Sequence, residues 1–197
     1  MASAVVLAAG ESKRMGMKKE VLPIDGEPMI KHVVGRLLAS TKIDEVIVVL
    51  GGQADEVGTS LAGVLDERLE LVGNARYAEG MGTSIAQGVR ACSWGASPIL
   101  IVLGDTPFFV TDDVDALIAA HAGGARIAVP VLDGRRGSPL LLDGAYREEL
   151  EKLSGDTGAS SLVERESAHV VEVGRDDEGF LIDVNTMDDY QAVKAGL

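Results

Sequence analysis

The chain has one cysteine, Cys92, among 197 residues. No disulfide can form within it, which fits a reducing compartment, and no basic stretch followed by an apolar core marks a secretory leader; a cytoplasmic location is the expectation. No apolar run reaches the roughly 18 residues that a membrane helix requires, so no membrane partner is expected. Positive charge is also scarce. Eighteen Lys and Arg stand against 31 Asp and Glu, a net charge of −13, and such an acidic chain repels a polyphosphate backbone. Nucleic acid is thereby excluded as a non-specific partner. There are three histidines. His32 and His121 fall in predicted helices and His169 opens a predicted strand, so none suggests a general base. Cys92 lies in a predicted helix with no nearby His, which argues against a thiol nucleophile.

What the chain does contain is a regular alternation of short apolar runs with segments of helical period, the pattern of a doubly wound α/β domain with a mostly parallel sheet. Strands are expected at Ala4–Ala8, Glu45–Leu50, Leu69–Val72, Pro98–Leu103, Arg126–Val131 and Pro139–Leu142. Late strands are expected at His169–Val173 and Phe180–Ile182, as a hairpin through Arg175–Gly179. Helices are expected at Met29–Ala39, Gln53–Leu65, Thr83–Cys92, Thr111–Ala122, Ala145–Leu153, Gly158–Glu164 and Met187–Ala195. Thr83 or Ser84 should cap the third of these and a hydroxyl the fourth, whose first turn is acidic. The length suits one core rather than two.

The few cations are not evenly spread. Lys13, Arg14, Lys18 and Lys19 crowd the loop that follows the first strand, Ala8-Ala9-Gly10-Glu11-Ser12-Lys13-Arg14-Met15-Gly16. Ligands of open α/β sheets sit at the carboxyl ends of strands, and small residues there let backbone N–H groups approach a phosphate. The loop is neither of two common phosphate loops. Gly10 is followed by Glu11 and Ser12, which breaks G-x-G-x-x-G. The interval from Gly10 to Gly16 is one residue too long for a P-loop, and Met17 stands where its Lys would be. Read alone, Gly10 and Gly16 either shape a turn or cradle an anion.

The stretch Leu7-Ala8-Ala9-Gly10-Glu11-Ser12-Lys13-Arg14-Met15-Gly16-Met17-Lys18-Lys19 resembles the L-A-A-G-x-S-x-R-M-G-x-x-K signature of nucleotidyltransferases related to the molybdopterin guanylyl- and cytidylyltransferases. The resemblance implies a Rossmann-like, single-domain three-layer fold over residues 1–197. It implies that the loop from Leu7, Ala8, Ala9, Gly10 and Ser12 wraps a nucleoside triphosphate, with Arg14 and Lys19 as catalytic cations. The guanylyl branch usually reads L-A-G-G; Ala9 in its place is similar to the cytidylyl or uridylyl branches and makes CTP the expected nucleotide.

Further segments carry the resemblance along the chain. Leu103-Gly104-Asp105-Thr106-Pro107 resembles L-G-D-x-P, which makes Asp105 a catalytic residue and Mg²⁺ ligand, although an Asp in such a turn also serves backbone hydrogen bonds. Asp183-Val184-Asn185-Thr186-Met187-Asp188-Asp189-Tyr190 resembles the closing D-[IV]-[DN]-T-x-x-D-[YL] motif and makes Asn185 the second metal ligand, with Asp183 a weaker candidate. Read without the family, Thr186 caps the last helix and Asp188 and Asp189 complement its dipole. Gly80, Met81, Thr83 and Ser84 resemble the nucleotide-binding G-M-x-[ST]-S element, whose glycines would admit a base or ribose. Arg135-Arg136-Gly137-Ser138-Pro139 and residues 154–160 are similar to the acceptor-side motifs G-H-P and S-G-D-x-G-A-R, but Ser138 replaces the His and Ser160 the Arg.

The expected function is transfer of CMP from CTP to a phosphorylated small-molecule acceptor, molybdopterin first, with Mg²⁺ as cofactor and a molybdoenzyme as protein partner of a monomer or weak dimer. Ser138 and Ser160 keep a sugar or polyol phosphate open as acceptor. An accessory nucleotide binder without catalysis is the rival from another class, and the set of Arg14, Lys19 and Asp105 speaks against it.

Overall fold

A strand reading Ala-Val-Val-Leu-Ala must be covered on both faces, and the strand that carries it runs through the middle of a three-layer domain. The computed structural model describes residues 1–11 and 15–196. In chain order its elements are β1 (Ala2–Ala8), a short hairpin of β2 (Pro23–Ile24) and β3 (Glu27–Pro28), α1 (Met29–Ala39), β4 (Ile43–Leu50), α2 (Ala54–Leu61), β5 (Leu69–Gly73), α3 (Met81–Ala91), β6 (Ile99–Leu103), α4 (Thr111–Ala122), β7 (Ile127–Leu132), β8 (Arg135–Arg136), β9 (Leu140–Leu142), α5 (Arg147–Leu150), α6 (Ser160–Arg165), β10 (Val170–Gly174) and α7 (Met187–Gly196). The main sheet has the order β10-β7-β9-β6-β1-β4-β5, with β8 paired to β7. β4, β1 and β6 run parallel side by side, β5 extends them, and β9 enters antiparallel between β6 and β7.

Residues of β1 separate by parity, as pleating demands. Ala4, Val6 and Ala8 join α1, α2 and α4 in one core, through Val33, Leu37, Val57 and Val114. Val5 faces α3, α5 and α6 through Ile85, Val89, Leu150 and Leu162. A third cluster of Met15, Ile24, Met29, Val184 and Tyr190 seats α7 against the β2–β3 hairpin. The doubly wound arrangement brings the carboxyl ends of β1 and β6 together. There the Gly104 N–H donates to the Leu7 carbonyl at 3.0 Å. A β-carbon on Gly104 would lie 2.9 Å from that same oxygen, so only glycine lets the two strand ends meet so closely.

Several elements differ from the pattern reading. Phe180–Ile182 is not a strand and forms no hairpin with β10; residues 179–181 make a 3-10 turn, and β10 is an edge strand parallel to β7. Phe180 is buried because it packs on Gly137, and its carbonyl accepts from Ser138 N–H at 3.1 Å. Its apolarity serves a plug under a loop, not a sheet. The helix expected over 53–65 stops at Leu61, and the segment expected as one helix over 145–153 holds a 3-10 turn followed by only α5. α3 begins at Met81, so Thr83 and Ser84 lie inside it and Gly80 is the cap. At α4, Asp113 supplies the carboxylate that accepts from Val110 N–H at 2.8 Å, while the Thr111 hydroxyl donates to the Arg36 carbonyl at 2.9 Å instead of capping.

Candidate active site

Two cavities open at the carboxyl edge of β1 and β6 and share Leu7, Met81 and Leu103 on their common wall. The first, about 410 Å³, is lined by Ala9, Gly10 and Glu11 from the loop after β1, Lys19 and Glu20 beyond it, Asp105 after β6, and Tyr77, Gly80, Ser84 and Asp156 opposite. The second, about 470 Å³, has a largely aliphatic floor from Ile85, Ile101, Leu140 and Val163, with Phe180 and Leu181 at one side. Arg136, Ser138, Ser160, Glu164 and Asp183 supply its polar groups.

Lys19, Asp105 and Asn185 converge at the wall of the first cavity, which Lys19 and Asp105 line, although they are far apart in sequence. The Lys19 ammonium contacts the Asp105 carboxylate and donates to Asn185 Oδ1 at 3.1 Å. Backbone geometry enforces the meeting. The Val184 N–H donates to the Asp105 carbonyl at 3.0 Å, and Val184 itself is fully buried. Asn185 is held in turn by a capping box at α7: Asp189 accepts from the N–H groups of Asn185 at 3.0 Å and Thr186 at 2.8 Å, and the Thr186 hydroxyl accepts from Asp189 N–H at 3.1 Å. Thr186 therefore caps the helix, and Asp189 holds the backbone of Asn185.

A cationic group thus already sits between two hard oxygen ligands. Such a pair fits a divalent ion that draws its remaining ligands from water and phosphate. Among the described residues no group of three or more His, Cys, Asp or Glu is placed to hold a metal ion. Burial, with the Asp105 carboxylate nearby, holds the Asp183 carboxyl above the ordinary range. Burial does the same to Glu20.

Of the residues expected from the sequence, Leu7, Ala9, Gly10, Lys19, Gly80, Met81, Ser84 and Asp105 line the first cavity. Ala8 is buried beneath it. Ser12 and Arg14 lie outside the described residues. Thr83 points away: its hydroxyl donates to the Gly80 carbonyl at 2.9 Å and accepts from Asn74 Nδ2 at 3.0 Å. The side of this segment's glycines on which a side chain would stand is occupied by main chain. A β-carbon on Gly80, whose φ is +118°, would lie 2.2 Å from the Gly155 carbonyl carbon, and one on Gly82 would lie 2.8 Å from Ser154 N. They admit the 154–157 loop, which brings Asp156 to the nucleotide side while Gly158 and Ser160 face the second cavity. Arg135 pairs outward with Glu178 at 3.9 Å, and Arg136 alone of that pair lines the second cavity.

A cluster of charge after a strand reads as solvated, yet neither Lys18 nor Glu20 faces solvent. Both are buried side by side, 3.5 Å apart. The remaining nucleophilic and basic groups stay clear of the cavities. The Cys92 thiol is pushed up to about 12 by burial and by the Glu45 carboxylate. His121 Nε2 contacts both Asp143 at 2.8 Å and Ser97 at 3.5 Å. A relay needs the two imidazole nitrogens to serve different partners, so this trio is a structural tie.

Residues 4–171 match the MobA-like NTP transferase domain. The chain belongs to this family. The purine catabolism protein PucB of Bacillus subtilis (strain 168) is 31% identical over 201 residues, spanning 98% of this chain and 96% of that protein. Among solved structures, the Mycobacterium tuberculosis rv0371c homolog from Mycobacterium sp. strain JC1 superposes with a TM-score of 0.83 at 31% identity, covering 99% of this chain and 96% of the other. A nucleotidyl transferase from Methanothermobacter gives 0.82 at 27% identity, covering 100% and 97%. A MobA-like transferase of this kind acts on nucleoside triphosphates, and the α/β fold with a mostly parallel mixed sheet accords with both structures. No helix among the described residues is long and apolar enough to cross a membrane.

Proposed function

We propose that this MobA-like transferase moves CMP from CTP onto the phosphate of an acceptor held in the second cavity, with molybdopterin as the acceptor and Mg²⁺ as the metal. The observation that carries the reading is the contiguity of the cavities across Leu7, Met81 and Leu103, with Lys19 and Asp105 on the wall of the first and Asn185 in contact with Lys19. A triphosphate in the first and a phosphorylated molecule in the second would meet at that cluster. Asp105 and Asn185 would hold the metal, which supplies charge neutralisation on the reacting phosphates.

The protein's own part is positional and electrostatic. An oxygen of the acceptor phosphate forms a bond to the α-phosphorus as the bond to the pyrophosphate oxygen breaks. The nucleophile is already an anion and needs no base. Lys19 and Arg14 offset charge that builds on the transferring group. Lys19 must leave Asp105 for the phosphate when nucleotide arrives, which frees the carboxylate. Ala9, at the position where the guanylyl branch usually has Gly, supports CTP over GTP by resemblance.

The second cavity supports an acceptor with a flat ring, whose face can lie on apolar side chains while Arg136, Ser138, Ser160, Glu164 and Asp183 meet its polar edge. Its floor is aliphatic, whereas a polyol needs many hydrogen-bonding partners. The test is pyrophosphate release from CTP, GTP, UTP and ATP with Mg²⁺, each with molybdopterin and with a panel of sugar and polyol phosphates. Turnover of CTP with the pterin alone supports the full proposal. Turnover with a polyol phosphate moves the acceptor and keeps the chemistry. Nucleotide binding without turnover on any acceptor would overturn the assignment of acceptor and of CMP transfer alike.

A further inference from the structure

Lys18 falls on an unspecified position of the loop signature, yet it is one of the most deeply buried side chains in the protein. Its ammonium donates to the Ala8 carbonyl at 3.0 Å and to the Gly10 carbonyl at 2.5 Å, and it lies 3.5 Å from Glu20 Oε1. An ammonium has three protons, and here there are three acceptors for them. The side chain has no solvent-exposed surface and does not line either cavity, whereas its neighbours Lys19 and Glu20 line the first.

The geometry has a consequence for the loop above. In a planar trans peptide the carbonyl of one residue and the N–H of the next point in opposite directions. Drawing the oxygens of Ala8 and Gly10 toward Lys18 turns the amides of Ala9 and Glu11 away from it. Ala9, Gly10 and Glu11 are the loop residues that line the first cavity. A phosphate is bound by amides and repelled by carbonyl oxygens, so which way these peptides face decides whether the loop attracts the nucleotide. Because the ammonium is paired with Glu20, its part is to anchor the two carbonyls rather than to add net charge beneath the loop. An apolar side chain of similar length could fill the space but would leave both carbonyls without their partner.

We propose that Lys18 is a positioning residue for the nucleotide, a buried cation that fixes the peptide orientation of the phosphate loop. This rests on the reading that the loop carries the triphosphate. Lys18 acts on the nucleotide through the loop and touches no reacting atom.

The test is calorimetric binding of CTP, GTP, UTP and ATP to the whole protein and to Lys18→Met, together with thermal melting and separate determination of kcat and both KM values. Lys18→Met should melt cooperatively, bind the preferred nucleotide about tenfold or more weakly, raise its KM to match, and leave the acceptor KM within about twofold. A purely structural residue would lower the melting temperature and leave nucleotide affinity within about twofold of wild type, and that result overturns the proposal. Should Lys18→Met not fold, Lys18→Gln, which keeps two donors without the charge, decides by the same readings. Failure of both to fold makes Lys18 a folding residue and also overturns it. The two readings separate cleanly: a wild-type protein that binds none of the nucleotides removes the triphosphate loop itself, whereas wild-type binding with an unaffected variant removes only the role of Lys18.

Discussion

The amide of Val184 donates to the carbonyl of Asp105 at 3.0 Å, and this one backbone bond joins the turn after β6 to the segment before α7. It sets Asp105 and Asn185 on either side of the Lys19 ammonium. Replacing Asp105 by Ala leaves that backbone bond available, since it uses only main-chain atoms. Folding should therefore survive while turnover falls by on the order of 10³-fold, as removal of a charge-stabilising group does. Pyrophosphate release beside circular dichroism checks this; a folded Asp105→Ala protein with near-normal turnover would remove Asp105 from the site.

Asn185→Asp should have the opposite sign for metal binding. Its Oδ1 already lies 3.1 Å from the Lys19 ammonium, and a second carboxylate there raises the charge facing a cation. Affinity for a divalent ion tracks ligand charge, so the nucleotide-free protein should bind Mn²⁺ about tenfold more tightly. Titration followed by electron paramagnetic resonance reads this without any turnover. Unchanged affinity would place the metal away from Asn185.

Lys19→Ala separates binding from catalysis. If Lys19 acts on charge that develops during transfer, kcat should drop by about 10²-fold and nucleotide affinity by much less. Equal losses in both would mean that the ammonium binds ground state and transition state alike.

Much of this architecture was legible along the chain. The helix Met29–Ala39 follows its apolar period with Pro28 before it, and Thr111–Ala122 matches its acidic first turn. The Thr186–Asp189 capping box is a local motif and could be read as one. The features that escaped depend on partners distant in sequence. Phe180 reads as a strand residue because its apolarity is local information, whereas its partner Gly137 is not. Gly80 and Gly82 read as room for a ligand, because nothing nearby announces that residues 154–157 fill that space. Lys18 reads as surface charge until the carbonyls of Ala8 and Gly10 are seen to converge on it.

That contact predicts the behaviour of Gly80→Ala. The new β-carbon would stand 2.2 Å from the Gly155 carbonyl carbon, on a backbone with φ +118°. Both strain and overlap oppose it, and the obstacle is main chain that cannot rotate aside. A loss of about 2 kcal/mol or more in urea unfolding is expected. Because the 154–157 loop carries Asp156 into the first cavity, nucleotide affinity should weaken with stability.

Cys92 offers a probe of packing with a defined pH sign. Burial and the Glu45 carboxylate raise its thiol from 9.0 to about 12. A group whose charged form is disfavoured by folding contributes stability below its unfolded value, and that contribution fades as pH climbs from about 9 toward 12. Iodoacetamide at pH 8 should leave the native protein unlabelled and modify it promptly in urea, since only the exposed thiolate reacts. Rapid native labelling would mean that the α3–β4 side of the core opens readily.

The acceptor side yields the most discriminating substitution. Ser160 begins α6 and lines the second cavity, at the position where the S-G-D-x-G-A-R motif that this segment resembles has an Arg. It is exposed, so a longer side chain has solvent to extend into and its backbone need not move. Ser160→Arg adds a cation to a cavity whose charged side chains are Arg136, Glu164 and Asp183. With a phosphorylated pterin as acceptor, the new guanidinium should lower its KM by several-fold, about the worth of one partly exposed charge-assisted contact, and leave the nucleotide KM unchanged. If the wild-type acceptor binds through different groups, the bulky Arg would obstruct it and raise the same KM. The direction of that one change, read with each acceptor that supports turnover, distinguishes a pterin pocket that has lost an anion contact from a pocket built for something smaller.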